Sequence, residues 1–169
     1  MTAVGQVKRA VAAAIKAAGC AAIESYSEEQ LKRYATAVAA VGTKETAIEE
    51  SGAAQYLGEK VDEATQETVS VYGRKMLLTL LIEVYAPRTL GAAGCEKAAE
   101  TITQAMMTAL PEGLKLGSLQ WGKTGWDKTM GMFRLDASAK YAAYFVAEAA
   151  EDETVFTDFV LKGTVKERE

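Results

Sequence analysis

The sequence predicts an α+β protein: a mostly antiparallel β-sheet with two main helices packed on one face, in the order α-β-β-α-β-β-β. Three observations carry that expectation. Two Ala-rich segments, 4–20 and 89–110, repeat apolar residues at helical spacing. The stretches 67–85, 114–121 and 129–149 are rich in β-branched, aromatic and alternating apolar residues. The elements also lack the regular strand–helix alternation of a parallel sheet.

In the first segment Val7, Val11, Ile15 and Ala18 share one helical face, and Gly19 is a plausible stop. Ser27-Glu28-Glu29-Gln30 reads as a capped turn, because Ser precedes Gln by three positions. Small and β-branched residues over 34–41 predict a strand, bent at Gly42-Thr43-Lys44 and continued by 45–49. Residues 50–66 are polar, contain Gly52 and Gly58, and are expected to form a long loop. The apolar run within 67–85 predicts a strand covered on both faces and ended by Pro87.

The second helix is expected over 89–110, with Cys95, Ala98, Ile102, Ala105, Met106 and Ala109 on its apolar face. Pro111 and Gly113 stop it. A strand over 114–121 and a turn over 122–128 come next. Residues 129–137 and 138–149 make one long strand or two, with Tyr141, Ala143, Phe145 and Ala147 alternating with Lys140, Tyr144 and Glu148. Glu151-Asp152-Glu153 is expected to turn into a last strand over 156–165. With no repeat and no linker, residues 1–169 are read as one domain.

Composition narrows the function classes. The net charge of −4 argues against a dedicated binder of nucleic acid or anionic membrane, which needs a cationic surface. Two distant cysteines make no disulfide framework, and the first residues lack a signal-peptide profile. The longest apolar run, 76–82, is too short for a bilayer. A soluble intracellular protein, with other proteins as partners, is the expectation. Histidine is absent, which removes Ser-His-Asp triads, Cys-His dyads and histidine zinc sites. No catalytic residue, cofactor or metal site is expected, and the chain is read as no enzyme.

Gly117-Ser118-Leu119-Gln120-Trp121-Gly122-Lys123-Thr124 matches the P-loop pattern literally. A P-loop needs a helix after the motif, and Gly125-Trp126-Asp127-Lys128-Thr129-Met130-Gly131 opposes one, so a β-turn is the preferred reading. A small P-loop nucleotide-binding protein is the rival of a different class. Glu83, between Ile82 and Val84, is the unusual carboxylate. It is expected on an exposed face or paired with Arg74 or Lys75, and a carboxylate enzyme would need it buried in a cleft. Cys95 reads as a small core residue, and Trp121, Trp126, Tyr72 and Tyr85 as core or interface anchors.

Val71-Tyr72-Gly73-Arg74-Lys75, Val84-Tyr85-Ala86-Pro87-Arg88 and Gly91-Ala92-Ala93-Gly94-Cys95-Glu96 together resemble prophage tail proteins of Gram-positive gut bacteria. So do Gly125-Trp126-Asp127, Gly131-Met132-Phe133-Arg134 and Phe156-Thr157-Asp158-Phe159-Val160-Leu161-Lys162-Gly163. The element order resembles the tail-terminator (tail-completion) family of long-tailed phages. That resemblance implies a virion structural protein that forms a six-membered ring at the head-proximal end of the tail and is assembled in the host bacterial cytoplasm. Its partners would be its own copies, the tube or sheath protein and head–tail connector proteins. DNA would only pass through the lumen, and no membrane would be involved. Another tail or neck component, a connector adaptor or a tube subunit, is the runner-up. The loop over 50–66 and the turn over 121–128 would be contact elements, with Tyr56, Leu57, Trp121, Trp126 and Asp127 as candidate inter-subunit contacts.

Overall fold

A computed structural model describes residues 3–24, 27–50, 55–111 and 113–149. The elements are α1 (Ala3–Ala17), β1 (Ala21–Ile23), α2 (Glu28–Lys32), β2 (Val38–Glu49), β3 (Tyr56–Val61), β4 (Thr68–Pro87), α3 (Gly91–Thr108), β5 (Lys115–Trp121), β6 (Gly125–Asp127) and β7 (Met132–Ala149). The strands pair in the order β1-β2-β4-β7-β5, with β3 joining β4 and β6 joining β7. The fold is α+β and the sheet is mostly antiparallel, as the sequence predicts. One pairing departs from that rule: β1 runs parallel to β2, with Ala21, Ala22 and Ile23 opposite Val38, Ala39 and Ala40.

Chain contacts divide the protein into two compact units. The first comprises 1–47 and 77–143, the second 48–76 and 144–169. In the first unit, α1 buries Val7, Val11 and Ile15, and it ends as its glycine predicts. Gly19 takes φ 91°, its N–H donates to the Lys16 carbonyl and the Cys20 N–H donates to the Ile15 carbonyl. That pair of bonds is the Schellman closure of a helix end. Ala18, just past the last residue of α1, is exposed. The Ser27 hydroxyl caps α2 by accepting from the Gln30 N–H at 3.4 Å.

Helices α1 and α3 pack on each other, and α3 also meets β5. Alternation decides what they cover. Leu78, Leu80, Ile82, Val84 and Ala86 of β4 are all buried on one side, and so are Leu135, Ala137, Ala139 and Tyr141 of β7. On α3, Cys95, Ala98, Ile102, Ala105 and Met106 are buried, whereas Ala109 lies past the helix end and is exposed. The Tyr141 hydroxyl donates to the Met106 sulfur at 2.9 Å, tying β7 to α3 inside this core. The opposite side of β4 is only partly covered, since Leu77, Thr79 and Leu81 are half-buried. A smaller cluster closes the end of that side, built from Leu31, Val38, Ala40, Tyr85, Met130 and Met132. The expectation of a strand covered on both faces is therefore met only toward the end of β4, because α2 is short and roofs that end alone.

The second unit contains a β3–β4 hairpin, with Tyr56 opposite Tyr72 and Val61 opposite Thr68. The segment expected as a long loop thus holds a strand. Its residues Gly58 to Val61 are paired with β4 through a backbone ladder that composition does not reveal. The turn is built on Asp62, whose carboxylate accepts from the N–H groups of Ala64 (2.8 Å) and Thr65 (3.2 Å). These bonds hold the Asp62 pKa below its usual value. Tyr56 meets the Tyr72 ring edge-on at 5.6 Å, and Arg74 Nε donates to Gln55 Oε1.

Two further boundaries differ from expectation: Gly42 lies inside a continuous β2, and residues 122–128 hold the short β6. Of the two readings of 129–149, one long strand or two, the structure has one strand, β7 over Met132–Ala149. The acidic turn at 151–153 and the strand expected over 156–165 lie outside the described residues.

Gly94 sets how closely α3 approaches the sheet. A Cβ there would sit 2.7 Å from Leu90 Cβ and 3.2 Å from Ala86 Cβ, neither of which is the loose end of a side chain. Replacing Gly94 by Ala gains about 1 kcal/mol of helix propensity. Overpacking costs about 1–3 kcal/mol. The Gly94→Ala variant is therefore expected to melt lower than the parent, as read by a urea midpoint.

Candidate functional site

The densest polar constellation lies on the partly covered side of the sheet, in the first unit. Arg134 on β7 is its hub. Its Nη2 lies 2.6 Å from Glu83 Oε1, and its Nε and Nη2 donate to the two oxygens of Asp136 at 2.7 and 2.9 Å. Nη1 stands 3.7 Å from Asp127 Oδ2, and the guanidinium carbon lies 6.0 Å from the centre of the Tyr85 ring. Asp127 has a second task. Its Oδ1 accepts from the N–H groups of Thr129 and Met130, which shapes the turn between β6 and β7. The Asp136 hydrogen bond, foremost, holds the Arg134 guanidinium above its ordinary pKa.

Glu83 is 6% exposed, so the expected open face is not where it lies, and its ion-pair partner is Arg134 rather than Arg74 or Lys75. Alternation explains the difference. Glu83 and Tyr85 share a face of β4, and Arg134 and Asp136 share the same face of β7, so all four converge. The visible signal is the Arg-Leu-Asp triplet of 134–136, charged residues two apart around a buried leucine. The cluster's chemistry is fixation: a carboxylate that would be costly to bury alone is matched by a bidentate cation. Among the described residues no group of three or more His, Cys, Asp or Glu is placed to hold a metal ion.

The P-loop pattern has lost the context it needs. Residues Gly117–Trp121 run along β5, and Gly125–Asp127 form β6, so a strand follows the motif where a phosphate-cradling helix is required. Cys95 is fully buried at α3, with its Sγ 3.4 Å from the Phe133 carbonyl oxygen and 3.7 Å from that of Val84. Burial pushes its thiol up to about 11, and Cys20 is raised by burial as well. Neither thiol resembles a nucleophile.

The candidate contact residues fall into different settings. Tyr56 is half-buried against Tyr72, and Leu57 beside it is exposed, both in the second unit. Asp127 is engaged as described. Trp126 on β6 is 44% exposed and meets the Phe133 ring edge-on at 5.0 Å. Trp121 ends β5, and its indole N–H donates to the Thr103 hydroxyl at 3.0 Å. That hydroxyl in turn donates to the Ala99 carbonyl. Trp121 thereby forms one wall of an open groove completed by Ala99, Glu100, Thr103, Gln104, Met107 and Thr108 of α3. Met107 is 76% exposed at its rim. In the second unit, Ile48, Leu57 and Val61 are exposed large apolar residues. Sequence reasoning passed over Met107, because it flanks Met106 and breaks the apolar face of α3.

No protein-family model matches the chain, and no curated protein sequence does. Among solved structures it is similar to a chain of a native gene transfer agent virion particle, at 18% identity and a TM-score of 0.38, over 83% of this chain and 91% of that one. It is also similar to the sheath/tube terminator of an extracellular contractile injection system in its extended state. There the identity is 10% and the TM-score 0.48, over 99% of this chain and 70% of that one. Among the described residues no helix is long and apolar enough to cross a membrane.

Three outcomes are expected from this geometry. Arg134→Met leaves Glu83 buried without its cation, a loss of about 3–5 kcal/mol for a wholly buried pair, lowered to about 2 kcal/mol by the exposure of Arg134. Adding Glu83→Gln to Arg134→Met should recover part of that loss, as measured by a double-mutant cycle in urea. The Cys95 thiol, raised in the fold, stays protonated where the unfolded chain's thiol ionises. Its contribution is thus fully present below about pH 9 and lost as pH rises toward about 11. Unfolding free energy should fall across that window, and less steeply in Cys95→Ala. A thiol reagent at pH 8 should label Cys20 and Cys95 only after unfolding.

Proposed function

We propose that this chain is a structural protein of a phage or phage-derived tail, acting as one terminator-like domain. In this reading its copies close a ring on the end of the tail tube. The ring stops polymerisation of tube or sheath and presents a surface to head–tail connector proteins at the head-proximal end of the virion. It acts by binding, with no catalytic step and no cofactor, and DNA passes through the lumen without being gripped. The carrying observation is the placement of large apolar side chains outward: Ile48, Leu57 and Val61 in the second unit, and Trp126 and Met107 in the first. Leu57 and Val61, exposed together on β3, fit a surface that another protein covers.

The polar constellation agrees with that reading. Its buried carboxylate is matched to Arg134, which stabilises a scaffold and leaves no poised acid–base pair. The resemblance of the tyrosine-, glycine- and tryptophan-bearing motifs to tail proteins supplies the assembly. Tyr56, Leu57, Trp121, Trp126 and Asp127 are its proposed contact residues. Tyr56, Trp121 and Asp127 would support the contact surface from below, while Leu57 and Trp126 would touch the neighbour.

Light scattering and negative-stain imaging of the purified chain should show rings, alone or on tube ends, as closed head-to-tail contacts require, with about six copies as the tail-terminator resemblance implies. Leu57→Asp together with Val61→Asp should lower the ring population with the circular dichroism spectrum unchanged. Particles made without this chain should carry tubes of uncontrolled length that fail to join heads. Tubes of uniform length joined to heads in its absence would overturn the proposal.

A further inference from the structure

We draw no further inference here: the strongest candidate, the groove between α3 and the end of β5 lined by Ala99, Thr103, Met107 and Trp121, is an apolar surface open among the described residues, and nothing in the structure shows what covers it.

Discussion

The side of the sheet turned away from α1 and α3 depends on a single cation. Arg134 gathers a carboxylate from β4, another from the β6 turn and a third from its own strand, and it lies over Tyr85. Without it Glu83 would be a buried charge facing two further carboxylates, an arrangement that low dielectric punishes severely. With it, β4 and β7 are fastened beyond their backbone ladder, and the Asp127 turn is held so that Met130 and Met132 can pack on Tyr85. The small cluster under α2 is too limited to fix this end of the sheet by apolar burial alone. An ionic hub does there what Leu, Ile and Val do on the other side.

The two sides of the sheet thus divide the work. Toward the helices, the burial of Leu78, Leu80, Ile82, Ala137 and Ala139 supplies the cooperative core, and Gly94 lets α3 settle close against Ala86. Small residues on β7 make room for the large ones on β4 and α3. The other side is left half-covered over Leu77, Thr79 and Leu81.

Much of this was legible in the chain. The helical spacing of Val7, Val11 and Ile15, the stop at Gly19, the Ser27 cap and the Pro87 boundary are all local signals, and the structure follows each one. What escaped notice is non-local. β1 has three residues and exists only because β2 is there to pair with it. β3 is largely exposed, holds Gly58, Glu59 and Lys60, and is kept in place by its hairpin partner, so its composition reads as a loop. Glu83 found its partner fifty-odd positions away on a strand whose register no local pattern announces. For the contact residues, the sequence pointed to aromatic side chains. It did not distinguish Trp121, whose indole N–H is taken by Thr103, from Trp126, which faces outward.

The irregularity in β5 bears on how such a protein keeps its edge safe. Its register against β7 shifts between Leu116 and Ser118, so regular backbone pairing runs unbroken only over Ser118–Trp121. β3 carries the same kind of interruption at Tyr56 and Gly58. A bulged edge is a poor template for indefinite stacking, because a flat strand from a misfolded chain loses its ladder after a few bonds. Any single joint along so short a run is correspondingly weak and quick to come apart. Crowded newly made chains that meet along this edge therefore part again before an unwanted ladder extends.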